Sequence, residues 1–190
     1  MKCYCGRILL ILALFLISNI SCKEEAPVEK TVKEDVVEET VKPYDADAEK
    51  AGEASKIKAA KTKALIQSAI SYLEKNGREK TFDAITNHSN PDHKMFIDGE
   101  FYIWIFQTDF KSNAIVKAHA VNYTLINKEW YHTKDPDGKQ FFYDIVRIAK
   151  NKGEGWVLYK WAHPIHKKAV PKVVYLKRYE DLVFLNGFYL

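Results

Sequence analysis

Beyond Cys22 the chain has no cysteine: the three it carries are Cys3, Cys5 and Cys22. A domain without thiols forms no disulfide, builds no zinc–thiolate site and uses no cysteine nucleophile. Long hydrophobic runs are missing too. Ile8 to Ile17 is an uninterrupted apolar stretch, but its ~10 residues fall well short of the ~20 a membrane-spanning helix needs. Enzyme signatures are also lacking. The sequence contains no GxSxG elbow, no HExxH helix, no P-loop and no dinucleotide glycine fingerprint. Carboxylate pairs abound only between Glu24 and Glu39, where the composition leaves no cavity to hold a substrate.

The N-terminus has the layout of an export signal. Lys2 and Arg7 form a short positive region, the apolar stretch follows, and Ser21 precedes Cys22. Bacterial lipoprotein signals place their lipidated cysteine at such a point. A leucine is usual three positions before it, where this chain has Asn19. Cys3 and Cys5 leave with the signal, and a thiol kept only at the cleavage point is most simply explained by acylation. The expectation is a signal over 1–22 and a lipid on Cys22; the alternative is an ordinary signal peptide or an uncleaved anchor. Residues 23–43 read as a charged, flexible tether. They mix Glu, Lys, Val and Thr with no aromatic before Tyr44 and bury too little apolar surface to offset chain entropy. A frayed helical extension is the other reading.

Residues 44–190 are then the folded unit, a normal size for one domain. The chain carries a net charge of +4; the signal holds +2 and the tether −3, which leaves +5 for the domain. A modest positive balance suits an anionic ligand without demanding one. The lysines form no single basic stripe, so no nucleic acid partner is expected.

Ala46 to Asn76 reads as one long helix with Ile57, Ala60, Ala64, Ile66, Ile70 and Leu73 inward, stopped at Asn76-Gly77. Arg78 to Thr86 is a second, short helix with Phe82 and Ile85 inward, and residues 87–98 are loop. Phe101 to Phe106 (FYIWIF) has strand length and character, and Ile115 to Val121 returns as a hairpin. The Asp135-Pro136-Asp137-Gly138 turn precedes a short amphipathic helix over 140–151, with Phe141, Ile145, Ile148 and Ala149 on one side. Strands over 153–161, 172–179 and 182–190 complete an α+β order: a long N-terminal helix on a five-stranded antiparallel sheet.

The richest segment is Gly153 to Tyr179. It packs Trp156, Tyr159 and Trp161 into one strand, then a basic turn, then a strand opening on Pro171-Lys172. Aromatic walls beside a lysine suit the capture of a small anion; a β core with a charged rim is the other reading. Alternation puts Val157, Tyr159 and Trp161 on one face and Trp156, Leu158 and Lys160 on the other. Which face meets the long helix stays open, and so does the place of Tyr102, Trp104 and Tyr175. His119 is either an anion donor or a structural histidine. His163 and His166 have metal-compatible spacing but no carboxylate or thiol nearby, so a connecting turn is expected. Asp135 and Asp137 echo a calcium loop without its bidentate glutamate, so a turn capping the next helix is expected.

Several segments resemble the single Cache domain family, extracytoplasmic PAS-like sensor domains of bacterial receptors. They are Leu73-Glu74-Lys75-Asn76-Gly77 with Phe82-Asp83-Ala84-Ile85, and Asp98-Gly99-Glu100-Phe101-Tyr102-Ile103. Further on come Asp135-Pro136-Asp137-Gly138-Lys139, Gly153-Glu154-Gly155-Trp156, Pro171-Lys172-Val173-Val174-Tyr175 and Asn186-Gly187-Phe188-Tyr189. The resemblance implies a five-stranded PAS-like sheet with the long helix on one face and a ligand pocket on the other. It implies a small organic acid as ligand, no catalysis and no cofactor. Lys172 sits where the family motif places a lysine, and a solvated strand lysine is the alternative. The ligand-binding set on this reading is Lys172, Tyr159, Trp161, Tyr102, His119 and Tyr175. Family members usually continue into a membrane helix and an output module, whereas this sequence stops at Leu190. The expectation is therefore a periplasmic or surface lipoprotein, held to the membrane through Cys22, that either hands its signal to a separate receptor or kinase or only binds without signalling. A protein-interaction module with a vestigial pocket is the second expectation.

Overall fold

The computed structural model describes residues 53–163 and 166–190. The expected signal, Cys22, the tether and the start of the long helix at Ala46 lie outside the described residues. Helix α1 spans Glu53–Asn76 and α2 Arg78–Thr86. A 3-10 turn at His93–Phe96 leads into a short hairpin, β1 (Ile97–Asp98) with β2 (Phe101–Tyr102). Then come β3 (Trp104–Gln107), β4 (Ile115–His119) and a 3-10 turn at Tyr123–Leu125. Helix α3 (Phe141–Asn151) precedes β5 (Glu154–Ala162), β6 (Ala169–Tyr179) and β7 (Leu182–Tyr189). The main sheet has five strands in the order β4-β3-β7-β6-β5, all antiparallel. The expected α+β architecture is what forms.

The stripe on α1 differs from the expected one. Thr62, Ile66, Ala69, Ile70 and Leu73 are buried, while Ile57 is 61% exposed and Ala60 and Ala64 face solvent. Thr62 can take an inward position because its Oγ1 donates to Lys58 O at 2.8 Å, which satisfies the hydroxyl within the helix. Each fully buried Ile or Leu on the stripe contributes about 1.5–3 kcal/mol. The helix stops where expected: Gly77 has φ 79° and its N–H donates to Leu73 O at 2.8 Å, a left-handed position that suits glycine. On α2, Thr81, Ala84 and Ile85 are buried, and the expected inward Phe82 is only half-buried.

The expected continuous strand over 101–106 is broken at Ile103. Its N–H donates to Phe96 O at 3.0 Å, and its carbonyl accepts from Ala120 N at 3.0 Å. The chain thereby passes from the small hairpin to the main sheet, and Tyr102 and Trp104 both stay on the pocket side. The loop expected over 87–98 holds the 3-10 turn and β1.

Alternation sorts the sheet into two cores. One face packs Ile103, Ile105, Trp156, Tyr175, Phe184 and Phe188 against α1 and α2. The other packs Trp104, Phe106, Val157, Tyr159, Val174 and Leu185 against Phe141, Phe142 and Ile145 of α3. The open question of which face meets the long helix is thereby answered: Trp156 faces it, and Tyr159 and Trp161 face away.

Asp135 does not cap α3, whose N-cap residue Gln140 makes no side-chain cap bond. Its Oδ1 accepts from Asp137 N (3.0 Å) and Lys139 N (2.9 Å), and its Oδ2 accepts from Lys160 N at 3.1 Å. Lys139 Nζ donates to Leu158 O at 2.7 Å. The turn therefore covers the outer edge of β5, an edge that would otherwise offer unpaired backbone groups.

Candidate functional site

A cavity opens on the face away from α1. Its floor is the sheet: Tyr102, Trp104 and His119 from the β2–β4 side, Tyr159, Trp161 and Lys172 from β5 and β6. Leu125 and Trp130, from the connection between β4 and α3, form its remaining side. The space open to the centre of a water molecule is about 20 Å³, room for about one water.

Strand register brings the groups together. Lys172 on β6 pairs with Tyr159 on β5 and Tyr189 on β7, and Trp104 on β3 pairs with His119 on β4. Lys172 is 2% exposed. Its Nζ donates to Tyr102 Oη at 2.7 Å and lies 4.3 Å and 4.9 Å from the ring centroids of Tyr102 and Tyr189. Among the described residues no carboxylate lies within ion-pairing distance of it. Glu100 is engaged elsewhere: it pairs with Lys58 at 2.8 Å and accepts from Tyr189 N at 3.0 Å. Burial pulls the Lys172 ammonium down to about 8 against the opposing pull of Tyr189 and Glu100, because a dry site disfavours the charged form.

His119 is buried and neutral. Its Nδ1 accepts from Val121 N (3.2 Å) and Asn122 N (3.0 Å), which leaves the proton on Nε2. Burial first, and then the Lys172 charge, pull its pKa to about 3. Burial also pushes the Tyr102 phenol up to about 12 and the Tyr159 phenol well above its ordinary range. The lining is thus one ammonium, an imidazole N–H and un-ionised phenols. Tyr159 stacks on Phe141 at 4.0 Å, and Trp130 meets Trp161 at 5.5 Å and Trp104 at 6.3 Å.

Five of the six residues expected from sequence, Lys172, Tyr159, Trp161, Tyr102 and His119, line this cavity. Tyr175 is not among them. It lies on the helix-facing side, its ring 4.9 Å from Trp156 and beneath Lys63 Nζ at 5.0 Å. It stands three positions after Lys172, and an odd offset on a strand puts two side chains on opposite faces. Sequence reading missed Trp130 and Leu125, and left Trp104 undecided. A tryptophan inside the polar run Asn127-Lys128-Glu129-Trp130 was the available signal. The rings of His163 and His166 lie 4.6 Å apart; among the described residues no group of three His, Cys, Asp or Glu is placed to hold a metal.

Solved structures share this fold, three chemotaxis or chemosensory proteins among them. A periplasmic sensor domain of a chemotaxis protein superposes with a TM-score of 0.60 at 23% identity, covering 74% of this chain and 99% of that one. A Cache chemosensory domain that recognises carboxylic acid gives 0.57 at 22% identity, over 72% and 96% of the two chains. A methyl-accepting chemotaxis protein from Vibrio parahaemolyticus gives 0.51 at 20% identity, over 72% and 91%. At such identities the likeness speaks for the fold alone. The Cache domain family model matches residues 24–185. With that match spanning most of the sequence, and with the long helix, the five-stranded sheet and the cavity arranged as described, the chain belongs to the Cache domain family.

Proposed function

We propose that this Cache domain binds a small anionic metabolite, a short-chain carboxylate, and acts as a binding module without catalysis. One observation carries the reading: Lys172 holds its ammonium in a nearly dry cavity with a phenol as hydrogen-bond partner and no described carboxylate opposite it. A buried charge left without a counter-ion is destabilising, and an anion supplied from outside removes that penalty through a charge-assisted hydrogen bond. On this reading Lys172 pairs with the carboxylate, Tyr102 and the His119 Nε2–H donate to it, and Tyr159, Trp104, Trp130 and Trp161 enclose its short apolar part. The likeness to a carboxylic-acid-recognising Cache domain supports the same class of ligand. Export and attachment through a lipid on Cys22 belong to the same proposal. They rest on the signal layout of Lys2, Arg7, the apolar stretch and Cys22.

Calorimetry on the purified full chain against acetate, propionate, lactate and pyruvate tests the reading. Binding that weakens by roughly 30-fold or more in Lys172→Ala is expected, the size of a lost charge-assisted hydrogen bond. Equal affinity in the variant removes Lys172 from its role.

A second reading has its own observation. A cavity of about 20 Å³ admits no carboxylate as it stands, which fits a vestigial pocket and a domain that docks on a partner. A chain that binds none of the acids but forms a stable complex with a receptor protein would favour it.

A further inference from the structure

We propose that the segment from Val121 to Lys134 is a hinged lid over the cavity, latched by Glu129, and that the ligand reaches Lys172 only when this lid lifts. That the entrant is an anion rests on the function proposed above; the lid rests on geometry of its own.

The cavity has two kinds of wall. Trp104, His119, Tyr159 and Lys172 are each at most 7% exposed and belong to the sheet, which also contributes the half-buried Tyr102 and Trp161. Between Val121 and Lys134 no residue is buried, yet Leu125 and Trp130 of this segment close the cavity. A wall with no buried residue opens at much lower free energy than a sheet sealed between two cores. A cavity with room for about one water must enlarge before even acetate fits, so the weak wall is the one that yields.

The lid is held by the rings of Trp130 and Tyr131, which meet Trp104, Phe142, Trp161 and Tyr143, and by a short set of hydrogen bonds. Asn127 N donates to Val116 O (2.8 Å), Val116 N to Lys128 O (3.1 Å) and Trp130 N to Ala114 O (2.8 Å). The exposed Glu129 carboxylate accepts from Ala114 N at 3.3 Å on the sheet side and from Tyr131 N at 2.5 Å on the lid. At the other end the hinge is gripped by His119, whose Nδ1 holds the N–H groups of Val121 and Asn122. One imidazole therefore faces the cavity and anchors the lid's first turn. On its outer side the lid lines a surface groove with Tyr123 and Ile126, opposite Phe82 and Thr86 of α2.

The lid can be read without any ligand. Cyanate carbamoylates neutral amines, so the rate at which Lys172 is modified in the full chain, followed by peptide mass spectrometry, reports how often the cavity opens. In Glu129→Ala that rate is expected to rise about tenfold, the effect of losing one hydrogen bond to a charged group, while exposed Lys80 reacts as before. An unchanged Lys172 rate overturns the lid. A rise shared by buried lysine and buried backbone amides alike also overturns it, because the variant has then loosened the whole domain. Repeating the reaction with a mixture of acetate, propionate, lactate and pyruvate separates the two claims. Protection of Lys172 supports the anion reading. Absence of protection with the tenfold rise intact keeps the lid and sinks the anion.

Discussion

Lys172 and Tyr102 stand 70 positions apart in sequence and meet through a 2.7 Å hydrogen bond in which the ammonium donates to the phenol oxygen. The bond satisfies one donor of a buried cation but leaves its charge uncompensated. A neutral partner suffices to position the lysine, and no described carboxylate pairs with its charge.

The first prediction follows from that charge. Lys172 has its pKa lowered from 10.5 to about 8, so the unfolded chain binds more protons than the folded one between pH 8 and 10.5. Stability of the empty protein from this group therefore rises with pH through that window, by about 3 kcal/mol at most. Below pH 8 the penalty is present in full. Lys172→Met removes the buried charge and is expected to stabilise the empty domain at pH 7 by about 1–3 kcal/mol while abolishing carboxylate binding. Urea denaturation of both proteins at pH 7 and pH 10 checks this. A variant less stable than the parent at pH 7 contradicts it.

Affinity should move the opposite way. The carboxylate needs the ammonium, so wild-type binding is expected to weaken as pH rises above about 8, where Lys172 loses its proton. His119, held neutral with a pKa near 3, contributes no change between pH 5 and 8. Titration calorimetry at pH 6, 7.5 and 9 reads the effect, and constant affinity across that range counts against Lys172 as the anchor.

Asn186 and Gly187 offer a test of the frame rather than the ligand. The fully buried Asn186 side chain accepts from Tyr102 N at 3.1 Å and donates to Thr62 O at 3.3 Å, so it joins β7, β2 and α1. Asn186→Leu strands both backbone groups and should cost about 2–4 kcal/mol. A Cβ on Gly187 would sit 2.3 Å from Val173 O, and the backbone has no rotamer to change. Gly187→Ala is expected to destabilise by about 3 kcal/mol or more. Chemical denaturation measures both, and a change under about 0.5 kcal/mol at either position refutes the account given for it.

Asp135 predicts an acid effect. Burial raises its pKa, but the N–H groups of Lys160, Lys139 and Asp137 outweigh that and hold it below the ordinary carboxylate value. A depressed carboxylate stabilises above its unfolded pKa and loses that contribution as pH falls through the folded one. Asp135→Ala should therefore destabilise the domain at pH 7 and narrow the gap to wild type at strongly acidic pH. Freed from its cover, the edge of β5 should also make the variant more prone to aggregate, which light scattering would show.

For Cys22 the expected outcome is incorporation of labelled palmitate into the wild-type chain and none into Cys22→Ser, with release of the variant from the membrane fraction. Equal membrane retention of both would argue for an uncleaved N-terminal anchor.

The sheet was legible in the sequence because strand alternation is local. Val157, Tyr159 and Trp161 share a face by parity, and the structure only had to say which face. The same parity separates Lys172 from Tyr175, and their offset of three positions was enough to see it. The inward face of α1 was misread at its start because a buried threonine satisfied by its own helix looks polar in sequence. The lid was not legible at all. Its place depends on backbone bonds from Asn127 and Trp130 to the edge of β4, and such pairing leaves no periodic pattern in side chains.

Within the turn at Tyr123–Leu125 and the residue after it, adjacent side chains point to different worlds. Leu125 belongs to the cavity, and Tyr123 and Ile126 belong to the groove beside α2. Inside and outside are thus two sides of one thin piece of chain. A shift of this turn that alters the space around Lys172 would alter the groove as well, so on the lid proposed above an occupied interior would be legible from outside.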